Sequence, residues 1–193
     1  MYDPLVHFEA RGKRVGIVGA GGLGLMGIKI AKAMKCEVTV ISTSPNKEQA
    51  VRGLGADHFV ISKDAESMAA HASSLDVVLD TVSAQHDVGS MLPLLDVDGV
   101  IVMIGVVTAP ASVPLVQCTF GRKSISGSLI GGIKSTKECI KFCAKHNIYP
   151  ETKLIKCDEV SKALTTLKTK NDQVVRYVID IAGSMPTPST TAV

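Results

Sequence analysis

Tryptophan is absent and aromatic residues make up only 4% of the chain, so there is little to stack bases on and no sign of a nucleic-acid binder. No block of Lys or Arg stands out, and the net charge of +3 is mild, which removes the usual footprint for phosphate backbones or membrane surfaces. The five cysteines, Cys36, Cys118, Cys139, Cys143 and Cys157, include no C-x-x-C pair. The opening residues do not read as a secretory leader, and a reduced, cytoplasmic setting is the expectation. The most apolar stretch, residues 15–34, is dense in glycine and broken by Lys29 and Lys32, which argues against a membrane span.

What is present is ordinary globular material. Hydrophobic residues account for 46% and charged residues for 20% of 193 positions, enough for one domain with a small appendage. Short apolar runs recur at 14–18, 37–41, 58–61, 76–80 and 100–104. They are continuously apolar rather than alternating, as strands of a parallel sheet buried on both faces should be. Segments of helical periodicity lie between them at 23–35, 45–54, 65–71 and 87–95. This alternation predicts an α/β fold of the Rossmann type, a doubly wound parallel sheet, over residues 1–132.

Beyond Gly105 the rhythm changes. A loop with two prolines at 106–114 leads to a strand at 123–127, a helix at 136–145, a strand at 152–156, a helix at 159–167 and a last strand at 174–181. Residues 133–183 are therefore expected to form a C-terminal α/β appendage. The small, polar, proline-bearing end at 184–193 is expected to be a disordered tail.

The first strand runs into Gly19-Ala20-Gly21-Gly22-Leu23-Gly24, which fits G-x-G-x-x-G. In that pattern the first glycine makes the tight turn, the second admits a pyrophosphate to the backbone, and the third lets helix and strand pack closely. Alone the pattern is weak. Here it follows a strand and opens a helix that leads to a second strand, the context that gives it meaning. Free N–H groups at the helix start would face the phosphates.

A site for NAD usually places an Asp or Glu about 20 residues beyond the loop, where it bonds the ribose 2′-hydroxyl. This chain offers Ser42, Thr43, Ser44, Pro45, Asn46 and Lys47 there, with no acid. Ser44 before Pro45 also reads simply as a helix N-cap. Lys47 is not explained that way, since a cation in a first helical turn opposes the helix dipole. A 2′-phosphate beside it removes the conflict, and NADP(H) is the expected cofactor.

These motifs together resemble the zinc-dependent medium-chain alcohol dehydrogenases, in particular the cinnamyl alcohol dehydrogenase group. The resemblance rests on residues 18–24 with 29–34, on Ser42, Thr43, Ser44 and Lys47, on Gly55-Ala56-Asp57-His58 and on Leu79-Asp80-Thr81-Val82-Ser83. It extends through Gly121-Arg122-Lys123, residues 126–132 and 176–180, and so spans residues 2–184. It implies that Gly19, Ala20, Gly21, Gly22, Leu23 and Gly24 hold the pyrophosphate, and that Ser42, Thr43, Ser44 and Lys47 hold the 2′-phosphate. It further implies that Thr81 and Gly105 line the adenine–ribose and nicotinamide side, and that Ser128, Leu129 and Ile130 meet the nicotinamide. Leu25 departs from the pattern, because many relatives carry His there.

The resemblance also implies an N-terminal domain bearing the ligands of a catalytic and a structural zinc, after which this chain is expected to begin. Zinc is then expected only in that domain, with no catalytic or metal-ligating residue here. Within the chain, Cys139, Cys143 and His146 share a predicted helix face, with Cys157 as a conceivable fourth group, but the spacing matches no zinc pattern and core packing is the expected role. His7, His58, His71 and His86 have no partner at a telling spacing, and surface or structural roles are expected.

The implied activity is hydride transfer between NADPH and an aldehyde or primary alcohol, with turnover doubted for this chain alone. The alternative is a non-catalytic NADP(H)-binding module, or the remnant of a truncated gene. A homodimer through the sheet edge near residues 123–130 is also implied. The apolar faces at Leu154, Ile155 and 178–181 are expected to be left exposed.

Overall fold

In the computed structural model, residues 1–169 and 176–184 are described, and most of the expected tail lies outside them. Two compact units divide between Tyr149 and Pro150.

The first unit is built on six strands: β1 (Arg14–Val18), β2 (Glu37–Ser42), β3 (His58–Ile61), β4 (Leu75–Asp80), β5 (Leu95–Met103) and β6 (Ser124–Gly127). They pair in the order β3-β2-β1-β4-β5-β6, every pair parallel. That is the strand order of a doubly wound dinucleotide-binding sheet, with its switch point between β1 and β4.

The apolar runs have a direct physical reading. Alternate strand residues point to opposite faces. Val15, Ile17, Val38, Val40, Val77, Leu79, Val100 and Val102 enter one core, whereas Val18, Ile41, Val60, Val78 and Ile101 enter another. The first face is covered by α1 (Tyr2–His7), α2 (Gly22–Ala33) and α3 (Glu48–Gly53), which bury Leu5, Ile28, Ile30, Ala31 and Val51. The second is covered by Met68 of α4 (Ala65–Ala70) and by Met91, Leu92 and Leu94 of a 3₁₀ turn at Gly89–Leu94.

That 3₁₀ turn replaces the α-helix expected at 87–95. Pro93 sits inside it and has no N–H to give to an α-helical ladder. The expected helix at 45–54 divides likewise into a 3₁₀ turn at Pro45–Lys47 and α3. Two short helices were not read from the sequence, α1 and α5 (Leu115–Thr119); each is too short to show a period.

Helix α6 (Ile133–Lys145) belongs with the first unit. Its Ser135 hydroxyl donates to Asp3 at 2.5 Å, its Phe142 ring lies 5.4 Å from that of Tyr2, and Phe142 and Cys143 pack on the first core. The compact unit thus ends at Tyr149 rather than at the expected boundary after 132, because α6 has a face to bury on α1.

The second unit pairs β7 (Thr152–Ile155) with β8 (Arg176–Ile179) in parallel, with α7 (Val160–Thr169) between them in the chain. Val174 and Val175, expected to start β8, lie outside the described residues. Leu154, Val178, Ile179 and Ile181 are exposed as expected, whereas Ile155 is buried. No helix among the described residues is long and apolar enough to cross a membrane.

Candidate functional site

Because the six strands of the sheet are parallel, the segments that follow them emerge along one edge. Gly19 follows β1, Thr43 follows β2, Thr81 follows β4, Gly105 follows β5 and Ser128 follows β6. The sequence-predicted residues are therefore gathered at the carboxyl ends of the strands, the ligand side of an open α/β sheet.

Gly19 turns with φ 92°, a left-handed conformation costly for a residue with a Cβ. Its N–H donates to the Ile41 carbonyl at 2.9 Å, which ties the turn to β2. A side chain on Gly24 would run into the Gly19 carbonyl oxygen, so α2 starts hard against the turn. Gly21 is the N-cap, in extended conformation, with no side-chain cap and open space where a side chain would stand. The first helical hydrogen bond runs from the Leu25 N–H to the Gly21 carbonyl at 2.9 Å. The amides of Gly22, Leu23 and Gly24 precede it, so they have no intrahelical acceptor, and no acidic residue lies in the first turn. Positive partial charge and unbound donors thus meet an open approach over Gly21.

At the end of β2, Ser42 is buried and its Oγ accepts the Ser44 N–H at 3.2 Å, folding the chain back. A hydroxyl that accepts keeps its own proton for donation. Ser44 does precede the 3₁₀ turn with Pro45 as its first residue, but it makes no side-chain cap bond. Thr43 is exposed and Lys47 half-buried. Lys47 has no carboxylate partner among the described residues, whereas the neighbouring Glu48 is taken by Arg52 at 2.8 Å.

Thr81 does not present its hydroxyl outward. It donates to the Val18 carbonyl at 2.8 Å, which fastens the start of the loop after β4 to the end of β1. Ser128 is half-buried, its N–H on the Met103 carbonyl at 2.9 Å. Leu129 and Ile130 are 70% and 86% exposed, an apolar rim beyond β6.

One constellation at this edge was not read from the sequence. Asp80, the last residue of β4, is fully buried. Its Oδ2 lies 2.6 Å from Nε2 of His86, and its Oδ1 accepts the Val82 N–H at 3.0 Å. Its carbonyl accepts the N–H groups of Ile104 and Gly105 at 2.8 and 2.9 Å. Nδ1 of His86 faces the Ala84 carbonyl at 2.8 Å; a carbonyl only accepts, so Nδ1 carries a proton. Burial works to lower the His86 pKa, but the bonds to Ala84 and Asp80 outweigh it and hold the pKa above 6.5. A buried Asp next to a Thr looks like strand material in sequence, and the six-residue separation to His86 follows no standard motif.

Zinc finds no home in the described residues, since no group of three His, Cys, Asp or Glu side chains is placed to hold a metal ion. Burial, followed by the neighbouring Cys139, pushes the Cys143 thiol up to about 11. The His146 ring packs on Phe142 at 4.4 Å.

Sheet order, glycine turn and uncapped helix define a Rossmann-type dinucleotide-binding domain. The chain belongs to the zinc-binding dehydrogenase family, whose model matches residues 22–145. It is 46% identical over 187 residues to vomilenine reductase of Rauvolfia serpentina, covering 95% of this chain and 52% of that protein. Among solved structures, a cinnamyl alcohol dehydrogenase from Sorghum bicolor superposes with TM-score 0.89 at 38% identity, over 95% of this chain and 53% of that one. The Helicobacter pylori enzyme complexed with NADP(H) gives TM-score 0.81 at 33% identity, over 95% and 52% respectively. The chain spans about half the length of the curated relatives it matches.

Proposed function

We propose that this chain is the NADP(H)-binding part of an oxidoreductase of the cinnamyl alcohol dehydrogenase type, which passes hydride between the cofactor and an aldehyde or primary alcohol. The observation that carries the reading is the pairing of an open, uncapped α2 start with an acid-free, cationic end of β2. The NADP(H) complex of the Helicobacter pylori relative supports the same choice.

In this reading the amides at the start of α2 take the pyrophosphate, and Gly21 keeps the approach clear. Ser42, Thr43, Ser44 and Lys47 take the 2′-phosphate, a dianion that a lysine and several hydroxyls can match. Thr81 acts through the backbone, fastening the loop after β4 to the turn at Gly19. Gly105 and the segment Ser128, Leu129 and Ile130 border the nicotinamide, which supplies the hydride when bound. The apolar residues exclude water from that face. Zinc chemistry is assigned to no residue here, because the donor set does not fit it.

A homodimer through β6 and a cytoplasmic setting belong to the same proposal. The edge position of β6 and the exposure of Phe120, Ile125, Leu129 and Ile130 support the first, and the cysteine usage supports the second. The testing experiment is amide chemical-shift mapping on addition of NADPH. Shifts should concentrate in residues 19–24, 42–47, 81–82, 105 and 128–130. Perturbation confined to other surfaces would refute the site.

A further inference from the structure

We propose that His86, acting through the buried carboxylate of Asp80, is a positioning residue for the dinucleotide: a proton-dependent latch on the lip of the cofactor groove. This rests on the cofactor reading above and goes beyond it, since neither Asp80 nor His86 enters that reading.

The geometry forms a continuous chain from the imidazole to the glycine turn. His86 Nε2 meets Asp80 Oδ2 at 2.6 Å, and Asp80 Oδ1 holds the Val82 N–H at 3.0 Å. Val82 in turn abuts the first glycine of the turn, where a Cβ on Gly19 would stand 3.0 Å from Val82 Cγ2. On the other side, the Val82 carbonyl closes against Gly105, which has no room for a side chain there. The Asp80 carbonyl holds Ile104 and Gly105 at 2.8 and 2.9 Å. The loops after β4 and β5 are thus fixed to each other and to the turn after β1 through one residue, and His86 closes over its carboxylate.

The state of the proton decides whether the latch holds. Nδ1 faces the Ala84 carbonyl and Nε2 faces the Asp80 carboxyl, so the ring donates to both at once only as the imidazolium. Loss of either ring proton turns a lone pair toward one of these two oxygens, two acceptors face to face, and one of the two bonds that hold the ring is gone. Charge-assisted bonds of this kind are the strong ones, and a buried charge left unpaired is costly. The charged groups acting on His86 are Asp80 at the end of β4 and Asp87 on its own loop. No Lys or Arg is bonded to either among the described residues. With its pKa raised above the ordinary histidine value, His86 keeps the latch shut on the acid side and releases it as pH rises through that raised value.

The test compares wild type with His86→Gln in the full 193-residue chain. The Gln amide can still donate to Asp80 but does not titrate. NADPH affinity is measured by calorimetry from about pH 6 to about pH 9, spanning the range in which histidine titrates, with a thermal melt to establish that both proteins stay folded. Because the 2′-phosphate itself ionises near pH 6, the readout is the ratio of the two dissociation constants at each pH. Wild type should match the variant at the acid end and bind about three- to tenfold more weakly at the alkaline end. A ratio that stays flat while both proteins bind NADPH would overturn the latch.

A chain that binds no NADPH at any pH would overturn the cofactor reading and the positioning role together. The two failures are told apart by the free chain, in which the His86 ring and the Val82 amide should titrate with one midpoint. Separate midpoints would sink the latch whatever the cofactor does.

Discussion

The carbonyl oxygen of Gly19 occupies the space that a side chain on Gly24 would need. Turn and helix therefore meet backbone to backbone, and neither can give way cheaply.

Two substitutions in the same hexapeptide should consequently fail in different ways. Gly24→Ala places a methyl group against rigid backbone and should destabilise the fold by about 3 kcal/mol, lowering the thermal midpoint by several degrees. Gly21→Val meets open space, in an extended conformation that any residue adopts. It should melt close to wild type and lose binding of both NADPH and NADH, because the side chain fills the approach to the amides. Unfolding of Gly21→Val, or its binding like wild type, would contradict the groove as drawn.

At the opposite edge of the sheet, Arg14 of β1 bridges Asp76 of β4 at 2.5 Å and Asp96 of β5 at 2.8 Å. The hydrogen bonds from its guanidinium hold both carboxyls below their ordinary value of 3.8. A depressed carboxylate contributes stability above its unfolded pKa, and that contribution is lost as pH falls through the folded one. Arg14→Met should lower the thermal midpoint modestly at neutral pH, since solvent screens these groups. The gap between the two melting curves should narrow below about pH 3.8 and close once both carboxyls are protonated. A gap independent of pH would mean that Arg14 acts by packing alone.

The edge of β6 offers an unpaired strand with Ile125 38% exposed and Phe120 87% exposed. The free N–H and C=O groups along this edge can pair with a second copy. Sedimentation should give a dimer for wild type and a monomer for Ile125→Lys, with cofactor affinity little changed. A wild-type monomer at tens of micromolar would remove the dimer from the account.

Much of this architecture was legible in the residues. The runs at 14–18 and 58–61 match β1 and β3 in full, because short runs of strand-forming residues are closely bounded by turn residues. The glycine hexapeptide reads as turn and helix start because Gly19 and Gly24 each answer a separate steric demand. Local pattern was weaker where tertiary packing chose the outcome. Nothing local to residues 133–145 shows that α6 packs on α1, since the contacts from Ser135 and Phe142 reach back more than a hundred residues to Asp3 and Tyr2. The helix expected at 87–95 ignored the weight of Pro93. The Asp80–His86 pair was invisible for the opposite reason, since its residues are near in sequence but joined only because the loop doubles back over the strand end.

The 193-residue chain by itself should carry no stoichiometric zinc and should not oxidise NADPH with cinnamaldehyde. The reason lies in the donors present: among the described residues no three His, Cys, Asp or Glu side chains are grouped to hold a metal ion, and a metal is one way of polarising the carbonyl that accepts the hydride. Metal analysis and a cofactor-oxidation assay on the same preparation check both halves. One zinc per chain with chelator-sensitive turnover would show that a competent site forms from these residues.

Selection of NADP(H) by this groove is read in one calorimetric comparison of NADPH and NADH on wild type and Lys47→Ala. Lys47 has no carboxylate partner among the described residues, so its charge is available to the 2′-phosphate, and one charge-assisted bond contributes about 1.5–3 kcal/mol. Wild type should bind NADPH at least about tenfold more tightly than NADH, and Lys47→Ala should lose most of that preference while its NADH affinity stays the same. Equal wild-type affinities for the two cofactors would contradict the account.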